Sequence, residues 1–333
     1  MQARLRTQEG DGPHMPSSAH PSETALQPGE RLDHLLTRDL HIIQSPEVFC
    51  FSLDAVLLAR FAGVPPRGKV LDLCTGNGVV PLLMSTRTEA QIDGIEIQPR
   101  LADMARRSVA LNGLEARIRI VEADLREWSR DGAVSGMYDA VTVNPPYLPR
   151  GTGEEKGNPH LAMARHEIGC TLDEVTAACA RAVRRGGRVS MVHRPARLVD
   201  ILEAMRRHRL EPKRMRFIHP RQGTEANMVL VEALKDGKPE LRLLPPLVVY
   251  EPDGQYTTEL LDVFYGRKTE LADGRKSAGM VRAAGERKSA GVGGAVEEWK
   301  LADVGGAVDE REAVGENEGR TADNGKVAEE AER

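Results

Sequence analysis

Between Val70 and Leu234 short apolar runs of strand length alternate with segments carrying the 3.6-residue rhythm of helices, and this alternation leaves few folds open. The strand-like runs are Val70–Leu73, Ile92–Ile97, Ile118–Val121, Ala140–Val143, Arg188–His193, Met215–His219 and Met228–Leu234. Between them lie helical patterns at Val80–Arg87, at Pro99–Asn112 (opened by proline and closed by Asn-Gly), at Leu172–Val183 (ended by Gly186-Gly187) and at Leu198–His208. Upstream, Glu47–Ala59 passes from an extended run into a helix that Ser52 or Asp54 caps. Strands separated by helices of this length predict a parallel sheet wrapped on both faces. A short polar link joins the last two runs, which suits an antiparallel pair. The expected fold class is therefore α/β: a doubly wound, mostly parallel, seven-stranded sheet with an antiparallel edge hairpin.

The flanks read differently. Residues 1–29 are rich in Pro, Ser, Gln and Gly without periodicity, which predicts a disordered leader. Residues 263–333 form a low-complexity stretch with internal echoes, such as Val-Gly-Gly-Ala-Val at 292–296 and again at 304–308. Such composition buries too little apolar surface to offset its ordering entropy. The folded domain is expected over 30–262. Charge follows the same division. Of 46 Lys and Arg and 50 Asp and Glu, residues 31–250 carry 32 against 27, leaving 14 against 23 for the flanks. Within the domain, Arg181 to Arg221 holds 13 basic and 3 acidic residues, a surface suited to phosphates. No long apolar run suggests a membrane span, and Cys50, Cys74, Cys170 and Cys179 form no CxxC pair or Cys/His cluster. A reduced, cytoplasmic, metal-free protein is expected.

Residues with chemical potential stand where the predicted strands end. After the first comes Asp72-Leu73-Cys74-Thr75-Gly76-Asn77-Gly78, whose glycines allow a tight turn and close approach to a ligand, and whose Asp72 can accept from an ammonium or hydroxyl. Pro81 breaks a full GxGxxG, which favours a nucleoside over a dinucleotide. Glu96 follows roughly twenty residues past the glycine loop, the spacing at which an acid takes ribose hydroxyls. Asp124 ends the third strand, where it can accept from an adenine amino group. The fourth ends in Asn144-Pro145-Pro146-Tyr147, and the two prolines must stop it. An amino nitrogen conjugated to a ring or carbonyl becomes nucleophilic when acceptors hold its hydrogens out of plane. Asn144 offers such an acceptor from its side chain and Pro145 from its carbonyl, while Tyr147 offers a ring face for stacking.

A parallel sheet with an edge hairpin is typical of S-adenosylmethionine-dependent methyltransferases, and the core resembles the bacterial adenine-N6 methyltransferase family acting on valine tRNA. The resemblance rests on Glu30–Leu36 with Ile42–Pro46, on Phe51–Leu58, on Asp72–Gly78, on Asn144–Tyr147 and on His219-Pro220-Arg221, and covers about residues 30–260. It implies S-adenosylmethionine held by Asp72, Thr75, Gly76, Gly78, Glu96 and Asp124, with Phe51, Ser52 and Asp54 near its methionine end and Asn144 beside the methyl group. It also implies an adenine in a tRNA anticodon loop, held by Asn144, Pro145 and Tyr147, with Arg150, Lys156, Arg165, His166 and the strand-end Arg194 near the RNA backbone. The planar-nitrogen chemistry serves a glutamine amide equally well, so a release-factor glutamine methyltransferase remains open at this point. So do a guanine-modifying ribosomal RNA enzyme and a non-catalytic RNA-binding scaffold.

Overall fold

A computed structural model describes residues 26–35, 39–48, 50–147 and 169–266. The chain begins with an antiparallel pair, β1 (Arg31–Leu35) and β2 (Leu40–Gln44), where the sequence pattern assigns no element. Helix α1 (Leu53–Phe61) leads to β3 (Lys69–Leu73), α2 (Val79–Met84), β4 (Gln91–Glu96), α3 (Pro99–Leu111), β5 (Ile118–Glu122), α4 (Leu125–Trp128) and β6 (Tyr138–Val143). Then come α5 (Leu172–Ala182), β7 (Val183–His193), α6 (Leu198–Arg207), β8 (Leu210–Arg221), β9 (Met228–Lys235), the short β10 (Arg242–Leu243) and β11 (Leu247–Tyr250), and α7 (Thr258–Phe264).

One large sheet runs in the order β5, β4, β3, β6, β7, β9, β8, with β10 and β11 both pairing in parallel on the outer side of β8. Strands β3 to β7 are mutually parallel, and β9 lies antiparallel between β7 and β8. The seven expected strands are present. The sheet has nine because Arg242–Leu243 and Leu247–Tyr250, flanking a Pro-Pro pair, are too short to show a period. Parallel strands covered on both faces must be apolar throughout. Accordingly Leu71, Leu73, Val141, Val143, Val189, Met191, Val229 and Val231 are all buried in one continuous core.

Two local differences from the sequence pattern have clear causes. Helix α5, closed at its start by a Thr171/Glu174 capping box, ends at Ala182, and the strand follows without a loop. Gly186 and Gly187 lie within β7 as a bulge: Val183 pairs with Tyr138, Arg188 with Ala140, and Gly186 takes a left-handed φ of 71°. A Cβ on Gly187 would stand 2.9 Å from the Asp139 carbonyl oxygen. Residue 262 lies inside α7, and Phe264 beyond it is buried.

Strand order reverses between β3 and β6, so the segments leaving their carboxyl ends diverge and open a crevice. The glycine loop leaves β3 and the Asn-Pro-Pro-Tyr segment leaves β6, which brings the two motifs to neighbouring strand ends. The β1–β2 pair buttresses this edge from α3. Ile43 N donates to Ser108 Oγ, His41 N donates to Asn112 Oδ1, and Asn77 of the glycine loop donates through Nδ2 to the Ile43 carbonyl.

Candidate active site

The loop after β3 is held in a conformation most residues avoid. Gly76 and Gly78 have φ of 57° and 88°, and Cys74, which is not glycine, has φ of 56°. A left-handed residue with a Cβ costs roughly 1–2 kcal/mol, so the surroundings must impose it. They do so through Thr75, whose N–H donates to the Ile95 carbonyl and whose hydroxyl donates to Asp72, and through Gly76, whose N–H donates to Glu96. A Cβ on Gly78 would press on Ala105 at 3.2 Å, whereas one on Gly76 would meet nothing within 4 Å. The second glycine therefore permits close packing, and the first faces open space.

The three strand-end acids are already engaged. Asp72 is 1% exposed and accepts from Thr75 and Thr142 hydroxyls, both at 2.6 Å. Burial pushes its carboxyl up to about 7, against the two threonine hydrogen bonds and with help from the nearby Glu96 charge. The two bonds brace the glycine loop against β6. Asp124 caps α4 by accepting from Arg126 N–H and also binds the Arg126 guanidinium at 2.6 Å, which holds the carboxyl below its usual range. An adenine amino group would meet a carboxylate that this guanidinium already shares. Glu96 differs. Its two oxygens accept from Gly76 and Gln98 N–H at 2.8 and 2.9 Å, leaving further lone pairs at the end of β4. Burial raises its carboxyl and those backbone bonds oppose the rise. Beside it Ile97, which follows β4, is 40% exposed, an apolar side chain with no sequence signal of its own. Open space at Gly76, an acid and an exposed apolar face together fit a nucleoside.

Upstream of α1, Phe51 is buried and its N–H donates to Gln44 Oε1, while Ser52 Oγ donates to Asp54. Asp54 reaches the fourth-strand motif: its Oδ2 lies 2.6 Å from the Tyr147 hydroxyl. The same hydroxyl lies 2.5 Å from Asn144 Oδ1. Burial and the Asp54 charge raise the Tyr147 phenol well above its ordinary value. Its ring packs on His193 at 5.0 Å between centroids, tilted by 57°, and the Arg194 guanidinium sits 5.5 Å over it. His193 carried no sequence signal, being one histidine at the end of a buried run. It is 1% exposed, and its Nδ1 accepts from Arg194 N–H, so its proton resides on Nε2, which has no partner among the described residues. Burial and the charges of Arg197 and Arg194 push it down to about 4. Pro145 is buried, and its carbonyl accepts no hydrogen bond among the described residues.

Of the residues expected near RNA, Arg194 stands beside Tyr147, and its Nη1 also donates to the Asn227 carbonyl. Arg150, Lys156, Arg165 and His166 lie outside the described residues.

This fold and crevice define an S-adenosylmethionine-dependent methyltransferase of the doubly wound type. The family model described as methyltransferase small domain matches residues 39–196. A tRNA1(Val) (adenine(37)-N6)-methyltransferase of Aeromonas salmonicida is 32% identical over 180 residues, covering 54% of this chain and 73% of the relative. One of Porphyromonas gingivalis is 26% identical over 226 residues, covering 64% and 87%. The crystal structure of a predicted O-methyltransferase from Agrobacterium tumefaciens superposes with a TM-score of 0.53 at 26% identity, covering 65% of this chain and 97% of the other. The chain belongs to the tRNA1(Val) (adenine(37)-N6)-methyltransferase family.

Proposed function

We propose that this protein transfers a methyl group from S-adenosylmethionine to the exocyclic amino group of an adenine in tRNA, with adenine 37 of valine tRNA as the substrate its relatives' names carry. The observation that carries the reading is the pair of acceptors at the end of β6: the Asn144 amide and the unspent Pro145 carbonyl, one strand away from the glycine loop. When bound, the cofactor supplies a methyl group already activated by a sulfonium, so the protein contributes alignment, with reacting atoms about 3 Å apart. Asn144 and Pro145 accept the two amino hydrogens, direct the nitrogen lone pair and stabilise the charge that grows on nitrogen. Tyr147 flanks the base. Glu96, Gly76, Gly78 and Thr75 shape the nucleoside end of the cofactor site, with Ile97 against its base, and Asp72 braces the loop from within. An unpaired anticodon-loop base splays out at low cost, and Arg194, Arg150, Lys156, Arg165 and His166 meet its phosphates.

The rival glutamine chemistry is separated by product. The full chain, S-adenosylmethionine and unmodified valine tRNA should yield N6-methyladenosine by nucleoside mass spectrometry, and a release-factor peptide should yield no methylglutamine. The reverse result would replace the reading. With a tRNA substrate the reaction is proposed to run in the cytoplasm. No described helix is long and apolar enough to cross a membrane. The catalytic domain is proposed to end at 266, after α7. A chain cut to 26–266 should keep its thermal midpoint and cofactor affinity, whereas a cut at 262 should lower the midpoint by removing buried Phe264.

A further inference from the structure

The Tyr147 hydroxyl has one proton and two close neighbours, Asp54 Oδ2 at 2.6 Å and the Asn144 amide at 2.5 Å. A carboxylate only accepts, and a hydrogen bond to it is charge-assisted, so the proton goes to Asp54. The phenol oxygen is then an acceptor, and the one group on Asn144 that can donate to it is Nδ2. The amide must therefore present nitrogen to Tyr147, since its oxygen and nitrogen edges exchange by a half turn at no cost in shape. The half turn puts Nδ2 in the position 2.5 Å from the hydroxyl and Oδ1 on the edge away from Tyr147, where no partner lies among the described residues.

We infer that Asp54 is a positioning residue for methyl transfer: through the Tyr147 hydroxyl it turns the Asn144 amide so that Oδ1, and not Nδ2, meets the amino group being methylated. This rests on the function proposed above. With the amide reversed, Nδ2–H would face an amino hydrogen, donor against donor, and the alignment would be lost. Asp54 suits the task because it is itself fixed. It is 7% exposed, it stands in the first turn of α1, and its Oδ1 accepts from Ser52 Oγ at 2.5 Å and Ala55 N–H at 2.8 Å. The helix start favours its negative charge. His193 supplies the second constraint by packing on the Tyr147 ring, so ring and hydroxyl are held from different elements. Asp54 and Tyr147 are 93 residues apart in sequence, and Tyr147 and Asn144 are 3 apart.

The test uses the full chain with unmodified valine tRNA under single-turnover conditions and saturating cofactor. Tyr147→Phe keeps the ring and deletes the oxygen. It should slow methylation about 10- to 100-fold, the range expected of a misplaced reacting group, with tRNA and cofactor affinities changed by less than about twofold. Asp54→Ala should match it, and so should Asp54→Asn, which has one accepting edge for the two that Asp54 fills: with its oxygen on Ala55 N–H it offers nitrogen to Tyr147. The double variant Tyr147→Phe/Asp54→Ala should be no slower than the slower single one, because both act on one amide. A second readout needs no cofactor: in the free protein the Asn144 Nδ2 protons should exchange with solvent slowly, and fast in Tyr147→Phe. Multiplicative losses in the double variant, a Tyr147→Phe rate within about twofold of wild type, or unchanged amide exchange would each overturn the inference. A wild-type protein that leaves tRNA unmethylated would instead overturn the proposed function, and the exchange experiment would still decide the orientation of the amide.

Discussion

The two halves of the crevice treat their polar groups in opposite ways. On the β3–β5 side the acids Asp72, Glu96 and Asp124 are bound by the protein's own hydroxyls, amides and guanidinium, while Asn77 Oδ1 in the glycine loop is buried without a partner among the described residues. On the β6–β7 side the Pro145 carbonyl, one edge of the Asn144 amide and His193 Nε2 have no partner among the described residues. An unmade hydrogen bond on a buried group costs about 1–3 kcal/mol, so polar groups left open mark where a ligand completes the structure. On the proposed function the acids of the first half frame the cofactor, and the second half is completed by the base that is to be modified.

The largest expected effect falls on the open half. Asn144→Ala should remove about 3–4 kcal/mol of transition-state stabilisation, by analogy with loss of one donor from an oxyanion site, and leave cofactor affinity nearly unchanged. Single-turnover rates beside calorimetric binding measure both. Near-wild-type methylation would reduce the motif to a strand terminator. Next is Glu96→Ala on the first half, which should weaken S-adenosylmethionine by roughly 1.5–3 kcal/mol, the worth of hydrogen bonds to a charged group, and release the Gly76 N–H. Unchanged affinity would mean that Glu96 serves the loop alone.

The same contrast explains what the sequence could tell. The first half follows local rules: buried strands are apolar, glycines permit left-handed turns, and an acid falls at a fixed spacing beyond them, so Asp72, Gly76, Gly78 and Glu96 were visible as a set. What they bond to was not. Asp72 meets Thr142 only because β3 and β6 pair in that register, 70 residues apart. Asp54 meets Tyr147 only after α1 has packed against the sheet. His193 and Ile97 became visible through burial and exposure, which no single residue announces. The bulge at Gly186-Gly187 was read as a helix stop because glycine serves both roles and only the facing strand decides.

Stability against pH reads the burial of one titratable group in each half. Asp72 is raised from 3.8 to about 7 by burial. Across that window the folded state holds the proton more firmly than the unfolded one, so this group's stability contribution is full at low pH and is lost as pH rises through about 7. Raised Glu96 acts in the same sense. The isosteric Asp72→Asn cannot ionise. Its unfolding free energy relative to wild type should therefore climb with pH between about 4 and 7, by at most about 1.4 kcal/mol per pH unit for one proton. A flat difference would mean that Asp72 ionises as readily folded as unfolded.

His193 supplies the mirror image. It is lowered from 6.5 to about 4 by burial, with Arg197 and Arg194 adding to the shift and Asp200 opposing it. Between those values the unfolded state binds the extra proton, so this contribution is full above about 6.5 and is lost as pH falls toward 4. His193→Phe keeps a ring against Tyr147 and removes both titration and the unpartnered Nε2. It also leaves the Arg194 N–H without its acceptor, a constant cost that shifts the curve without tilting it. Relative to wild type its unfolding free energy should therefore fall as pH rises from 4 to 6.5, at a slope no steeper than that of Asp72→Asn and opposite in sign. In wild type the two slopes oppose each other over this window, which is why a single pH scan of the native protein would hide both. Denaturant midpoints of the two variants and wild type at pH 4.5, 5.5, 6.5 and 7.5 read them separately. The signs oppose because burial favours the neutral form of both, the acid protonated and the imidazole deprotonated, so parallel slopes would show that one of the two groups is not held neutral in the folded protein.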